Sequence, residues 1–162
     1  MNHPNYQEII ERIQRDIAPW RTAGRVADYI PELAEVRADH FGMAIVTVGG
    51  QAFRTGDADV RFSIQSISKL FACTLAFQLL GEALWERVGR EPSGTAFNSL
   101  VQLESERGKP RNPFINAGAL VVTDVLCRRF VRAENALVDF IRRITGERDI
   151  SYDLRVAKSE LE

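Results

Sequence analysis

The sequence predicts a helix-rich α/β fold, and three observations lead to this prediction. Apolar residues recur at helical spacing in several separate segments. Two strand-like runs are separated by a pair of glycines, which predicts a single β-hairpin. The 162 residues, of which 45% are hydrophobic and 27% charged, suit one domain, or a large part of one, with a real core.

The first elements predicted along the chain are two helices. Four isoleucines recur at helical spacing near the N-terminus, so we expect an amphipathic helix over about residues 5–18 that ends before Pro19. The segment GRVADYI, residues 24–30, is expected to form a short second helix. That helix should stop where Pro31 disfavours helical backbone at the preceding residue.

The β-hairpin is predicted from FGMAIVTV, residues 41–48, and QAFRTG, residues 51–56. Gly49 and Gly50 lie between these runs and can supply the positive φ angles that a type I′ turn needs. The tetrapeptide DADV, residues 57–60, is expected to be a turn whose aspartates accept backbone N–H bonds, and not a metal or acid/base pair. Two strands alone are marginal, so the other strands of the sheet are expected to lie beyond this chain.

Four further helices are predicted in the remainder of the chain. The first runs from about Ser66 to Leu80, ends at Gly81, and is apolar on nearly all sides, so we expect it to be central and buried. The other three correspond to the segments FNSLVQLESERG, AGALVVTDVLCRRF and ENALVDFIRRITG. A proline-bearing loop, KPRNPFIN, precedes the second of these three helices.

Several classes of protein and site are disfavoured by composition. The net charge of -1 gives no expectation of binding to nucleic acid or to an anionic membrane. Lys69 interrupts the longest apolar run, so no membrane span is expected, and the N-terminal segment lacks the apolar core of a signal peptide. A cytoplasmic location is therefore expected.

The cysteines and histidines do not form a recognisable site. Cys73 and Cys127 lie within apolar helical patterns and are expected to be buried thiols that are not joined in a disulfide. The two histidines, His3 and His40, are not accompanied by a Cys/His cluster, so no metal site is expected. Acid/base chemistry in this chain would have to use another side chain.

Ser66 and Lys69 form a Ser-x-x-Lys pattern at the predicted start of a helix. Residues three apart share a helix face, so the hydroxyl and the amine can meet. Burial disfavours a charged lysine and lowers its pKa, which would let it take the serine proton. The pattern is weak by itself, because a capping serine beside a lysine that extends to solvent has the same spacing.

Longer motifs carry a resemblance to a known family. The segments ADYIPELA, GDADVRFSIQSISK, EPSGTAFNSLVQLE and RNPFINAGAL closely resemble those of the serine-dependent glutaminases, over essentially the whole chain from about Tyr6. The resemblance implies hydrolysis of L-glutamine to L-glutamate and ammonia. It also implies an α/β sandwich like that of serine β-lactamases and penicillin-binding proteins. Neither a metal nor an organic cofactor is implied, and relatives form homo-oligomers, either dimers or tetramers.

The same resemblance implies roles for individual residues. Ser66 would be the nucleophile and would also line the substrate site, and Lys69 would be its base. Substrate-binding roles are implied for four other residues: Tyr29, Gln65, Asn116 and Glu160. Without the resemblance, each of the four has a plainer interpretation, respectively a core aromatic residue, a loop residue, a helix N-cap and a solvated carboxylate.

Members of the family have catalytic domains about twice this length. Residues 1–162 are therefore expected to be a single domain that corresponds to the N-terminal half of a glutaminase catalytic domain. The chain is either part of an active enzyme or a natural half-length product with little activity. Two alternatives stay open: an incomplete half-domain that binds a partner through its uncovered sheet edge, or a β-lactamase-like acyl hydrolase.

Overall fold

The computed structural model describes most of the chain and shows two compact units. The described residues are 4–94, 96, 98, 99, 103 and 107–160. One unit comprises Met1–Ser63 together with Asp153–Glu162, and the other comprises Ile64–Tyr152. The expectation of a single domain stays a prediction, because packing alone does not test whether the two units fold independently.

The elements of the described residues are mainly helical, with one hairpin, as the sequence predicts. In chain order they are α1 (Tyr6–Ile17), α2 (Pro31–Ala34), β1 (Gly42–Val46), β2 (Ala52–Gly56), α3 (Ser68–Leu80), α4 (Leu84–Arg87), α5 (Asn116–Arg129), α6 (Ala133–Thr145) and α7 (Leu154–Ser159). Short 3₁₀ turns cover Ala18–Trp20, Gln65–Ile67 and Gly81–Ala83. The predicted helix-rich α/β class is confirmed.

In the first unit, α1 packs on the antiparallel hairpin of β1 and β2. The side chain of Asn5 accepts a hydrogen bond from the backbone N–H of Glu8 and so caps the start of α1. The rings of Tyr6 and Phe53 lie 5.6 Å apart between centroids and join the helix to β2. The predicted first helix is confirmed.

The hairpin turn differs from the predicted two-glycine type I′ turn. Thr47 N–H donates to Gln51 O at 2.9 Å, and Gly50 N–H donates to Thr47 O at 2.9 Å, so the loop is three residues long. Of the two glycines, only Gly50 has a positive φ, of 82°. This is the arrangement of a turn followed by one left-handed residue, which needs a single glycine at its last position.

The predicted helix over residues 24–30 is wrong, because the helix begins where it was expected to stop. Pro31 is the first residue of α2, a position at which the missing N–H of proline costs nothing. Ile30 before it is extended, with φ -117° and ψ 110°. In the same unit Arg155 of α7, a helix that the sequence analysis missed, forms a 2.6 Å ion pair with Glu32 of α2.

The predicted turn after the hairpin is present, and one of its two aspartates, Asp57, accepts a backbone N–H as expected. Val60 N–H donates to Asp57 O at 2.9 Å and closes the turn, while the Asp57 carboxylate accepts the N–H of Phe41 at 2.9 Å. Asp59 forms an ion pair with Arg54 at 2.9 Å. The two aspartates therefore serve different local contacts.

In the second unit, α3 packs against α5 and α6. Gly81, with φ 56°, ends α3 as predicted, and Gly146, with φ 73°, ends α6. The helix α4 was not predicted from the sequence, and the predicted FNSLVQLESERG helix falls largely outside the described residues. The buried core of this unit is formed by Cys73, Leu75, Ala76, Leu84, Val88, Val122, Val125, Leu126, Phe140 and Ile141.

Burial of α3 is less complete than its apolar sequence predicts. Ile67 in the preceding turn, and Leu70, Phe77 and Leu80 in the helix, are exposed. Cys127 of α5 is also exposed, although Cys73 is buried as expected, and both thiols are free. Hydropathy indicates what a helix tends to bury, but within the described structure α5 and α6 cover only part of the surface of α3.

The stretch Gln65–Arg87 is long and apolar enough, by length and composition alone, to cross a membrane. A core helix of a soluble protein has the same properties. The presence of Lys69 therefore does not by itself exclude a span, contrary to the expectation from the sequence.

The loop before α5 is held closely against the start of that helix. Gly89 N–H donates to Pro110 O at 2.7 Å, and Glu91 N–H donates to Arg111 O at 2.9 Å. The Asn112 carboxamide oxygen accepts the backbone N–H groups of Phe114 and Ile115 at 3.0 and 3.1 Å. A β-carbon on Gly118 would lie 1.8 Å from Asn112 O, so only glycine permits this close approach.

We predict that Gly118→Ala destabilises the chain by about 1–3 kcal/mol, because the added methyl group meets backbone atoms that must shift. Helix propensity alone would make the alanine variant more stable by about 1 kcal/mol. The expected change in the free energy of unfolding therefore has the opposite sign to the change that propensity predicts. Urea unfolding followed by circular dichroism measures the change. Gly94→Ala is the control, since its β-carbon would meet nothing within 4 Å. Equal stability of the two variants would contradict the prediction.

Candidate active site

Ser66 and Lys69 lie on consecutive turns at the start of α3. Ser66 is the central residue of the 3₁₀ turn Gln65–Ile67 and is exposed. Lys69 is the second residue of α3 and is half-buried. The Ser-x-x-Lys spacing therefore places an exposed serine three residues before a partly desolvated amine.

The amine of Lys69 is held by the loop that leads into α5. Lys69 Nζ donates to Asn116 Oδ1 at 2.7 Å and to the backbone oxygen of Phe114 at 3.1 Å. Asn116 is the first residue of α5 and is not its N-cap, because Ile115 occupies that position and provides no side-chain cap. The plainer interpretation of Asn116 as a helix N-cap is therefore wrong.

Burial lowers the pKa of Lys69 below its ordinary value of 10.5. A neutral lysine amine has two N–H donors and one lone pair, whereas the ammonium ion has three donors. The two hydrogen bonds to Asn116 and Phe114 can therefore both be made by the neutral form. The neutral form also carries a lone pair, which a general base needs in order to take up a proton.

Within the described residues, the side chains of Ser66 and Lys69 are not hydrogen-bonded to each other. The expected direct contact is thus absent, although the sequence spacing correctly places both residues at the start of α3. Hydrogen bonds of catalytic groups are often long in enzymes without substrate and tighten when substrate binds. The roles of both residues stay predictions.

Gln65, immediately before Ser66, has a backbone conformation that glycine normally adopts. Its φ is 45°, and the turn that it begins is closed by the N–H of Ile67, which donates to Ile64 O at 2.9 Å. A positive φ at only the first central residue defines a type II′ turn, where glycine is preferred. A non-glycine residue there costs about 1–3 kcal/mol, and such strain concentrates at functional sites.

Tyr29 and Glu160 belong to the other unit of the chain. Tyr29 precedes α2 and is 81% exposed, so it is not a core aromatic residue. Glu160 is exposed at the C-terminal end of α7, where its N–H donates to Val156 O at 3.1 Å. The structure brings Lys69 and Asn116 together, and the predicted proximity of Tyr29 and Glu160 to Ser66 stays a prediction.

Two contributors to the site were not identified from the sequence. The backbone oxygen of Phe114 cannot be singled out by residue type, since every residue has one. Asn112 orders the loop, and the Asn-Pro pair in RNPF, typical of a turn, was the available signal for it. Across the described ranges, no three His, Cys, Asp or Glu side chains cluster as metal ligands, and a metal-free site stays a prediction.

Comparisons with known proteins converge on one family. A model of the glutaminase family matches residues 24–162. A glutaminase of Paraburkholderia phytofirmans is 78% identical over 158 residues, which are 98% of this chain and 52% of the relative. A glutaminase of Ralstonia nicotianae is 71% identical over the same shares of the two chains. The chain therefore spans about half the length of the curated relatives it matches.

Solved structures give the same result for the fold. A probable glutaminase, YbaS, superposes with a TM-score of 0.91 at 30% identity, over 99% of this chain and 52% of that one. The glutamate form of Mglu superposes with a TM-score of 0.85 at 37% identity, over 99% of this chain and 37% of that one. These glutaminases have the β-lactamase-like fold, so the fold implied by the sequence resemblance is confirmed.

We predict that Lys69 titrates below 10.5 because burial penalises its ammonium form. Asn116→Asp should raise its pKa, since a carboxylate would replace the amide oxygen 2.7 Å from Nζ. The chain has only three lysines, so NMR titration of their ε-carbon signals, assigned by Lys→Arg substitution, can follow Lys69 directly. Asn116→Ser, which adds no charge, is the control. A Lys69 that titrates at or above 10.5 would contradict the prediction.

Proposed function

Because the chain belongs to the glutaminase family, we propose that it supplies the nucleophile and the base of an enzyme that hydrolyses L-glutamine to L-glutamate and ammonia. The observation that carries this proposal is the position of Lys69. Its amine is half-buried, has a lowered pKa, and is held by Asn116 and Phe114 one turn after Ser66. An amine in this setting can serve as the base in a reaction without histidine.

The proposed reaction proceeds through an acyl-enzyme. Ser66 Oγ attacks the side-chain amide carbon of glutamine while its proton passes to Lys69 Nζ. The C–N bond then breaks, and the departing nitrogen takes that proton and leaves as ammonia. Water attacks the resulting ester and gives a proton to Lys69, which returns it to Ser66 as glutamate is released. No metal or organic cofactor enters these steps.

The other site residues are proposed to bind substrate. Asn116 is bonded to Lys69, and we assign it a positioning role for the amine in addition to contact with substrate. Glu160 would meet the positively charged amino group of glutamine in a charge-assisted contact. Gln65 and Tyr29 would line the pocket. The solved glutamate form of Mglu supports glutamine as the substrate, because glutamate is the product of the proposed reaction.

We propose that the site is completed by residues of the kind found in the remaining length of the curated relatives. A cytoplasmic location and a homo-oligomeric state, either dimer or tetramer, belong to the same proposal and rest on the family resemblance and on composition. The net charge of -1 supports a small-molecule substrate over a nucleic acid partner.

Activity is best tested in a fusion protein in which the C-terminal part of the P. phytofirmans relative continues this chain; we call it the completed protein. We predict that Ser66→Ala and Lys69→Ala each lower its kcat for ammonia release by about 10³-fold or more, since each removes a participant in bond formation. Coupled detection of ammonia measures the rate, and circular dichroism checks the fold.

Ser68→Ala is the matched control for these variants. Ser68 is the first residue of α3 and is the other hydroxyl close to Lys69 in sequence, but it has no assigned role. Its variant should keep kcat within about threefold of the parent. If the Ser66 or Lys69 variant retained the activity of the parent, or if the completed protein cleaved β-lactams and not glutamine, the proposed function would be wrong.

We also predict that the 162-residue chain by itself releases little or no ammonia, whereas the completed protein does. The physical reason is that stabilisation of the transition state needs the whole pocket, and this chain covers only 52% of the length of the P. phytofirmans relative. Parallel assays at equal concentration measure the difference. Equal turnover by the two proteins would show that the described residues form a sufficient active site.

A further inference from the structure

We propose that Gln65 is a positioning residue whose left-handed backbone directs Ser66 toward the substrate. This inference rests on the function proposed above and deepens it, because it concerns how the nucleophile is presented. It goes beyond a substrate contact of the Gln65 carboxamide, since the backbone angle and not the side chain carries the effect.

The first observation is the local conformation on either side of Gln65. Ile64 has φ -75° and ψ -12°, and Ile67 has φ -60° and ψ -28°, so both are right-handed. Gln65 alone reverses the sense of the backbone between them, with φ 45°. If Gln65 were right-handed too, the chain from Ile64 would run on into α3 as a continuous helix. Ser66 would then project from the flank of that helix in another direction.

The second observation is that a positive φ is rare outside glycine in the described structure. Among the described residues other than glycine, only Gln65 and Arg107 have a positive φ. Arg107, with φ 55°, is followed by Gly108 in a surface turn. Gln65 is followed by the candidate nucleophile. The turn is closed by the hydrogen bond from Ile67 to Ile64, and Lys69 is anchored to the loop before α5, so the strained residue lies between fixed points.

Glycine at position 65 would relieve the backbone strain, but it would not restrict the turn to this one conformation. Glycine takes positive φ without steric cost, yet it also takes other angles freely. Asparagine tolerates positive φ and keeps a carboxamide, whereas a β-branched residue strongly resists it. These preferences separate the contribution of the backbone from that of the side chain.

The matched pair Gln65→Gly and Gln65→Ala tests the proposal in the completed protein. Both variants lack the carboxamide, so KM for glutamine should rise equally in both. Only alanine resists positive φ, so kcat should be about tenfold lower for Gln65→Ala than for Gln65→Gly. Gln65→Asn should lose less kcat than Gln65→Ala, and Gln65→Val should lose more. Equal kcat for the glycine and alanine variants would overturn the proposal.

Thermal unfolding gives a second readout with its own control. Gln65→Gly should raise Tm by about 2–4 °C relative to Gln65→Ala, because it removes the backbone penalty. Arg107→Gly should raise Tm relative to Arg107→Ala in the same way while kcat is equal in that pair. A kcat difference of the same size in the Arg107 pair would show a general effect of backbone strain and would overturn a specific role for Gln65.

Labelling of Ser66 by a fluorophosphonate separates this proposal from the proposed function. In that reaction Ser66 Oγ displaces fluoride from phosphorus and its proton leaves to the base, so no glutamine is needed. Peptide mass spectrometry should show faster labelling for Gln65→Gly than for Gln65→Ala. If this order holds without glutamine turnover, the proposed function fails and the positioning role stands. If glutamine is hydrolysed and the two rates are equal, or if the parent is not labelled, the positioning role fails.

Discussion

The contact between Lys69 and the loop before α5 is the interaction on which the candidate site depends. A lysine amine that is partly removed from water is costly unless its N–H groups have acceptors. Asn116 Oδ1 and the oxygen of Phe114 provide two such acceptors, 47 and 45 residues away along the chain. The same contacts fix the direction of the amine. The two hydrogen bonds therefore both lower the free-energy cost of burying the amine and define its orientation.

The loop can provide these acceptors only because it lies unusually close to its own helix. Asn112 orders the backbone at Phe114 and Ile115, and the absence of a side chain at Gly118 lets the loop approach α5. Packing of α3 against α5 then sets the distance between Lys69 and the loop. Gly118 is therefore part of what orients the amine of Lys69.

Rigid and strained elements are combined at the start of α3. The helix contributes Cys73, Leu75 and Ala76 to a well-packed core, which fixes its axis. The turn before it carries an unfavourable φ at Gln65, and the energy for that strain has to come from the packing around it. Ser66, the candidate nucleophile at this junction, gains a defined direction from the turn and a defined position from the helix.

The predictions that succeeded rest on local physics. Helical periodicity located α1, α3, α5 and α6, and glycines at helix ends stopped α3 and α6, because these features depend on residues a few positions apart. The Ser-x-x-Lys spacing places Ser66 and Lys69 at the start of α3 for the same reason, while their catalytic roles stay predictions. The errors arose where two local preferences compete, as at Pro31, which can end one helix or begin another.

The sequence by itself determined four of the longer helices, α1, α3, α5 and α6, and the pairing of two strands, and through its long motifs it determined the family. The tertiary structure decided which surfaces of α3 are covered, that the Asn116 side chain contacts Lys69 instead of capping α5, and that Gln65 adopts a positive φ. These features depend on residues distant in the sequence or on strain imposed by packing. Neither the periodicity nor the residue type at a single position records such long-range constraints.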